Sequence, residues 1–294
     1  MSGPAAISRQ YVKYCDAADW DDPRLLETVQ AILPDRDAAT HVERKVWEFA
    51  MLAMFLEDTG RLHEGTEALA VGAGDERIVF WLANRLGRVV ATDIYGSGDF
   101  ADGSAAAAML RDPVSCSPFP YREDHLEVRW MDGRRLDFPD ASFDVVFSLS
   151  SIEHFGRQSD VAGAAAEMGR VLRPGGHAYI VTDAFVRLHP LDARPVLGRG
   201  RRPWEPGSAS RWRRRPWADA FTARELRRGI VAPSGLELMQ PLDTTVGPRA
   251  WENVAAITGE GEVVTETGEK WPHVLLRYGR SYFTSVGLAL RKPG

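Results

Sequence analysis

The stretch "EALAVGAGDERIVFWLA" (residues 67–83) decides the reading of this chain. An apolar, strand-like run meets a glycine pair, Gly72 and Gly74, and then "DERIVFWLANRL", whose apolar residues recur at helical spacing until Gly87. Glycines at the carboxyl end of a strand let the backbone turn sharply and approach a ligand closely. A helix beginning near Asp75 would aim its amide N–H groups and its positive dipole end at the same spot. Beyond Gly74 by 19 residues, "VVATDIY" places Asp93 at the end of a second strand, where a carboxylate can take both hydroxyls of a ribose. This much suits a dinucleotide cofactor and an adenosine-containing one equally.

Outward from this motif the pattern alternates. "RVVATD" (88–93), "LEVRWM" (126–131), "FDVVFSL" (143–149) and "HAYIVTD" (177–183) read as further strands, with a helix over 158–172 stopped by Pro174-Gly175-Gly176. Apolar runs without clean alternation, separated by helices, indicate a parallel sheet covered on both faces. "TARE" (222–225) has capping-box form and opens a helix to about Gly235. The tail "WPHVLLRYGRSYFTSVGLALRKP" reads as two strands joined by a tight turn at Gly279-Arg280. Upstream, residues 23–33 and 41–58 read as helices, the second apolar almost all round and therefore buried. The expected organisation is an N-terminal helical cap over 1–64 and an α/β domain over 65–294, with a basic insertion at 184–218.

The bulk numbers narrow the function. The chain has 294 residues, 44% hydrophobic and 26% charged, with a net charge of −5, so it is no generic binder of polyanions. Its two cysteines, Cys15 and Cys116, have neither pairing nor metal-type spacing, which suits a reducing cytoplasm. The longest uncharged apolar run, "FAMLAMFL" (49–56), has 8 residues, far short of the roughly 20 that span a bilayer. The first residues lack the apolar core of a signal peptide. A cytoplasmic protein is expected, with no membrane partner.

Three details separate the cofactors. A dinucleotide fingerprint wants a small residue where this chain has Arg77. Asp132, in "RWMDGRRLDFPDASFDVVFS", follows the third strand, where a carboxylate can accept from an adenine amino group. The strand pair after the fifth strand suits a seven-stranded sheet with a reversed edge strand. On these residues the chain resembles the class I S-adenosylmethionine-dependent methyltransferases, of the small-molecule, type 11-like kind. "LAVGAGDE" resembles that family's glycine motif, "ATDIY" its ribose-binding motif and "MDGRRLDFPDASFDVVFS" its adenine-binding segment. "SSIEHF", "VLRPGG" and "YFTSVGLAL" match later landmarks in order. The resemblance covers about residues 65–183 and 222–292.

The resemblance implies a Rossmann-like, mostly parallel sheet of seven strands with the last antiparallel, and S-adenosyl-L-methionine as cofactor. It places Gly72, Ala73 and Gly74 along the methionine part and Asp93 on the ribose. Ile94 falls on the adenine face, Asp132 and Gly133 at the adenine edge, and Ser148 beneath the sulfonium. Where the family often has an acid before the glycines, this chain has Ala70, and Glu67 does not fill its place. The backbone carbonyls near Gly72 and Ser148 are left to hold the cofactor's amino group.

Methyl transfer to a hydroxyl needs an aligned nucleophile and a base to take its proton. His154, in "SSIEHFG" after the fourth strand, is one candidate base, and the alternative is a histidine that caps or packs the following helix. His189, in "DAFVRLHPL" with Asp183 nearby, is the second candidate base. His273 reads as a strand-start residue, and Trp47 as core. No carboxylate–histidine cluster points to a metal.

Between 187 and 215, nine arginines (187, 194, 199, 201, 202, 211, 213, 214 and 215) face two acids, Asp192 and Glu205, a local excess of +7. Forked guanidinium donors suit an anionic small-molecule acceptor, and Trp204, Trp212 and Trp217 could stack on a ring. A solvated surface loop is the alternative reading. The expected activity is methylation of a small molecule, on a hydroxyl of a sugar or natural-product scaffold. Three rivals stand beside it: an RNA or nucleotide methyltransferase using the Arg-rich insertion, an NAD-dependent oxidoreductase, and a non-catalytic S-adenosylmethionine-binding protein. The overall acidity and the absence of an Asn/Asp-Pro-Pro-aromatic run oppose nucleic acid, and Arg77 opposes NAD.

Overall fold

The structure is a computed structural model that describes residues 7–190, 220–252, 254–257, 263–265 and 274–294. Eight of the nine arginines of the basic stretch (all but Arg187), together with Trp204, Trp212, Trp217 and His273, lie outside the described residues.

Five parallel strands form the half of the sheet that carries the glycine turn: β1 (Glu67–Val71), β2 (Arg88–Asp93), β3 (Leu126–Trp130), β4 (Phe143–Leu149) and β5 (Leu172–Arg187). Their order is β3-β2-β1-β4-β5, so the chain runs outward from β1 in one direction and then the other. That reversal opens a crevice beyond the carboxyl ends of β1 and β4, where ligands of open α/β sheets settle. The apolar runs explain the pairing. Ala68 to Val71, Val89 to Ala91 and Val145 to Phe147 are at most 2% exposed, as strands covered on both faces must be.

Past β5 the sheet turns antiparallel. β9 (Leu275–Tyr278) and β10 (Ser281–Arg291) make the expected hairpin around Gly279 (φ 57°), and β10 pairs antiparallel with β5. This is the mostly parallel, Rossmann-like α/β sheet with a reversed strand that the motifs imply. It extends further than the seven-strand core. β7 (Val254–Ile257) and β8 (Val263–Thr265) continue it beyond β9, and β6 (Glu237–Leu238) pairs with the end of β10, making ten strands among the described residues. β5 also overruns its expected end at Asp183 by four residues, because β10 gives it partners as far as Arg187.

Helices cover both faces. α1 (Pro23–Ile32) starts with proline at its first position and with Asp22 accepting the Arg24 N–H at 2.9 Å. α2 (Arg44–Asp58) is buried continuously from Val46 to Leu56 and packs on α1, β5 and β10. The Trp47 side chain is fully buried and donates its Nε1–H to Asp19 at 2.8 Å. α3 (Arg77–Ala83) follows the glycine turn. α4 (Ala108–Arg111) and α5 (Pro113–Cys116) are single turns, and α6 (Gln158–Val171) links β4 to β5. Thr222 and Glu225 form the expected capping box for a helical stretch that passes through a π turn at Arg227–Val231 and stops at Gly235 (φ 67°).

Residues from Tyr11 to Leu290 belong to one hydrophobic cluster, which therefore joins the N-terminal segment and α2 to the sheet. The backbone of 13–15 runs beside β10, with Cys15 N–H donating to Ser285 O at 2.8 Å and Gly287 N–H to Lys13 O at 2.9 Å. The first turn of α2 meets the end of β4 and the side of β5, through Lys45 to Leu149 O and Arg44 to Asp183. Both cysteines are free. No helix among the described residues is long and apolar enough to cross a membrane.

Candidate functional site

The carboxyl ends of β1, β2 and β4 open into a cleft of about 560 Å³. Gly72 (φ 69°) and Gly74 (φ 52°) make its first wall, in a left-handed conformation that favours glycine. A Cβ on Gly72 would overlap the Ser151 hydroxyl, so this turn must be bare for the β4 end to close on it. The N–H groups of Gly72 and Ala73 donate to Thr92 O at 2.8 and 3.0 Å, which fastens the turn to β2.

Asp93 stands at the end of β2, as expected from the sequence. One carboxylate oxygen accepts the Gly74 N–H at 2.9 Å and the other accepts the Ile94 N–H at 2.7 Å. Burial raises its carboxyl above the usual carboxylate range, with those two amides pulling the other way. The expectation of a helix end aimed at the ligand needs correction. α3 starts at Arg77 rather than near Asp75, and the Gly74 amide is already engaged by Asp93. Arg77 points away and pairs with Asp35.

Asp132 and Gly133 line the cleft with Met131 and Arg134. Arg134 grips both oxygens of Asp132 through Nε (2.8 and 2.9 Å) and Nη2 (2.5 Å), and the hydrogen bonds hold the Asp132 carboxyl below its ordinary range. A Cβ on Gly133 would lie 2.6 Å from the Phe155 ring and 2.8 Å from Val71. His154 ends a short turn, Ile152–His154, and lines the cleft with its ring against Phe100 (centroids 5.0 Å apart). Its neighbour Glu153 is buried beneath and accepts from Thr182 Oγ at 2.8 Å. Burial pushes the Glu153 carboxyl well up; the charge of His154 opposes this and Asp183 adds to it.

The structure thus brings together Gly72, Gly74, Asp93, Ile94, Asp132, Gly133 and His154. It does not bring Ala73, Ser148 or His189 to the cleft wall. Ala73 is 5% exposed within the turn, and Ser148 is 1% exposed with no hydrogen-bond partner for its hydroxyl. The cleft wall at the end of β4 is Leu149, Ser150 and Ser151 instead, because Ser150 takes a positive φ of 46° and swings the strand end over. His189 lies beyond the overrun of β5, with its N–H donating to Ser281 Oγ at 3.1 Å.

A charged cluster beside the cleft was not legible in the motifs. Glu76 lines the cleft and pairs with Lys45 of α2. Lys45 also reaches Glu48 at 3.2 Å and donates to Leu149 O at 3.2 Å. Glu48 is 1% exposed and accepts from Ser150 Oγ and Ser285 Oγ, each at 2.6 Å. Arg44 pairs with Asp183 and donates to Ser285 Oγ at 3.2 Å. Burial pushes the Glu76 carboxyl up to about 7, with Lys45 opposing. The sequence signal was a glutamate, Glu48, inside an otherwise apolar helix. Among the described residues, no group of three or more His, Cys, Asp or Glu side chains could hold a metal ion.

A family model described as "Methyltransferase domain" matches residues 69–180, from β1 through the first half of β5. The matched part, residues 69–180, is similar to methyltransferase domains. The glycine turn, Asp93, Asp132 and His154 all fall inside the matched part. A 27-O-demethylrifamycin SV methyltransferase of Amycolatopsis mediterranei is 44% identical over 138 residues, 46% of this chain and 41% of that protein. A sterol 24-C-methyltransferase of Aspergillus fumigatus is 35% identical over 71 residues, 23% of this chain and 18% of that protein. The alignments thus span less than half the length of these curated relatives. Among solved structures, the YcgJ protein of Bacillus subtilis superposes with a TM-score of 0.49 at 13% identity, over 83% of this chain and 98% of that one.

Proposed function

We propose that this protein transfers a methyl group from S-adenosylmethionine to a hydroxyl of a small-molecule acceptor, such as a sugar or natural-product scaffold. The observation that carries the cofactor is the sign of the cleft. Its lining has five carboxyl groups, on Glu76, Asp93, Asp99, Asp132 and Asp160, against two guanidinium groups, on Arg134 and Arg157. Lys45 beside Glu76 lessens this excess, and the remainder still favours a cationic ligand, since two unit charges about 4 Å apart interact by roughly 4 kcal/mol at an effective dielectric constant near 20. A sulfonium with an ammonium tail suits it, and the pyrophosphate of a dinucleotide does not. The donor set also fits, with a carboxylate at the ribose position, glycines at the turn and the apolar Ile94 and Met131 beside the base position.

The bound cofactor supplies a methyl group activated on its sulfonium. The residues of the chain bind and orient. Asp93 takes the ribose hydroxyls, Ile94 covers the adenine face, and Asp132 receives the adenine amino group while Arg134 steadies its carboxylate. Gly72 and Gly74 leave room for the methionine part. His154, at the cleft wall beside Phe100, takes the proton of the acceptor hydroxyl, and the buried Glu153 next to it favours the charged imidazolium that results. The Amycolatopsis relative supports the acceptor class, since its name places the methyl group on an oxygen of a rifamycin. The basic stretch from Arg187 to Arg215 suits an acceptor with phosphate or carboxylate groups.

The test is His154→Ala with a panel of hydroxylated acceptors. S-adenosylhomocysteine binding should stay within about two-fold, while turnover falls by roughly a hundred-fold or more, the usual contribution of a positioned base. Unchanged turnover would remove His154 from the chemistry.

A further inference from the structure

S-adenosylmethionine ends in an amino acid, an ammonium and a carboxylate on one carbon, and a cleft that takes it needs an anion and a cation side by side. The family's usual acid is missing, since position 70 is an alanine, fully buried in β1 with its carbonyl accepting from Thr92 Oγ at 2.8 Å. Of the cleft carboxylates, Asp93 is held by two backbone amides, Asp132 is gripped by Arg134, Asp160 accepts the Arg157 N–H at 2.7 Å, and Asp99 is exposed on the loop after Ile94, at the adenine side. Glu76 differs. It stands two residues past Gly74, at the methionine side of the cleft, and its partner is a lysine. That lysine is fixed from behind by Glu48 and by the Leu149 carbonyl.

We propose that Glu76 and Lys45 form the subsite for the amino-acid end of the cofactor, Glu76 accepting from the ammonium and Lys45 donating to the carboxylate. The inference rests on the S-adenosylmethionine reading above. It moves the amine contact away from the backbone carbonyls near Gly72 and Ser148, the second of which pairs in the β4–β5 ladder. It also gives the N-terminal segment a function, because Lys45 lies on α2, outside the matched domain. The amino-acid end would exchange one ion pair for two, and Lys45 would keep Glu48 as its anchor. The charged groups that act on Glu76 are Lys45 and Glu48 of α2 and Asp75 of the turn. Its carboxyl sits near 7 without ligand, so binding an ammonium beside it releases a proton around neutral pH.

The experiment compares two nucleosides by calorimetry. S-adenosylhomocysteine carries the amino-acid tail and 5′-methylthioadenosine lacks it. The unmodified protein should bind the first more tightly. Glu76→Gln should weaken S-adenosylhomocysteine by roughly ten- to a hundred-fold, the worth of one hydrogen bond to a charged group, and leave methylthioadenosine within about two-fold. Lys45→Met should act in the same selective way. Affinity of the unmodified protein for S-adenosylhomocysteine should rise between about pH 6 and pH 8, and Glu76→Gln should flatten that rise. Equal weakening of both nucleosides, or no weakening of either, would overturn the subsite. If the unmodified protein binds neither nucleoside, the cofactor reading itself fails, and the inference fails with it.

Discussion

Ser150 shows how much of the cleft depends on single residues. A non-glycine residue at positive φ costs on the order of 1–2 kcal/mol, and the strain persists only where neighbours over-determine it. Here the Ser150 N–H donates to Val181 O at 2.9 Å, and its hydroxyl donates to the buried Glu48. The kink swaps which residues of the β4 end meet the ligand, so Leu149 takes the wall and Ser148 is buried. No propensity rule predicts a left-handed serine at position 150, so nothing in the sequence corrects the placement of Ser148 that the resemblance implies. Glu153 gives the residue scale a pH dependence. Burial raises its carboxyl from an ordinary 4.5 to about 7, so the folded state holds this proton more tightly than the unfolded state. The stability it contributes is complete below about pH 4.5 and is lost as the pH climbs towards 7. Glu153→Gln keeps an acceptor for Thr182 without the charge. Its melting temperature should match the unmodified protein near pH 4 and exceed it near pH 8, and scanning calorimetry at both values checks this. A variant that is less stable at about pH 8 would show that the ionised carboxylate is the preferred form.

At the scale of elements, α2 links the core to the chemistry. Its apolar run from Val46 to Leu56 was readable as a buried helix, but the use of its first turn was not. Arg44, Lys45 and Glu48 meet Asp183, Glu76 and Ser285, partners between 31 and 241 residues away in the chain, and such pairings leave no local pattern. The placement of His189 turns on strand length. The sequence suggests an end at Asp183, whereas β10 extends β5 to Arg187, and four strand residues carry the chain roughly 13 Å further. The capping box at Thr222, the hairpin at Gly279 and the strands of the parallel half all follow from short-range signals, and they appear where those signals put them. Helix packing makes its own prediction at Gly169 of α6. A Cβ there would overlap the Ser234 carbonyl, which is backbone and cannot rotate away. Gly169→Ala should therefore cost about 1–3 kcal/mol of stability, the usual cost of overpacking, read as a lowered urea midpoint with an unchanged slope. An unchanged midpoint would mean that the two helical stretches are not in close contact.

Across the whole molecule, one hydrophobic cluster ties the N-terminal segment and the parallel strands to β10, while a smaller one around Phe185, Ala255, Leu276 and Phe283 holds β7 and β9, so residues before the matched part pack into the same core as the strands that carry the cleft. The glycine turn, Asp93, Asp132 and His154 converge because β3, β2, β1 and β4 lie side by side in that order and their carboxyl ends open on one cleft. That convergence was legible because each motif sits at a strand end, and a parallel sheet with a reversal of order gathers its strand ends. Binding of S-adenosylmethionine in this acidic cleft through Asp93 is what the proposed function requires. It is tested most directly by calorimetric titration with S-adenosylhomocysteine and, separately, with NADH, on the unmodified protein and on Asp93→Ala. S-adenosylhomocysteine alone should bind, with micromolar affinity, and Asp93→Ala should weaken it by roughly ten-fold or more, as expected for loss of hydrogen bonds to a charged group. Binding of NADH in its place, or equal binding of S-adenosylhomocysteine by both proteins, would contradict the proposed function.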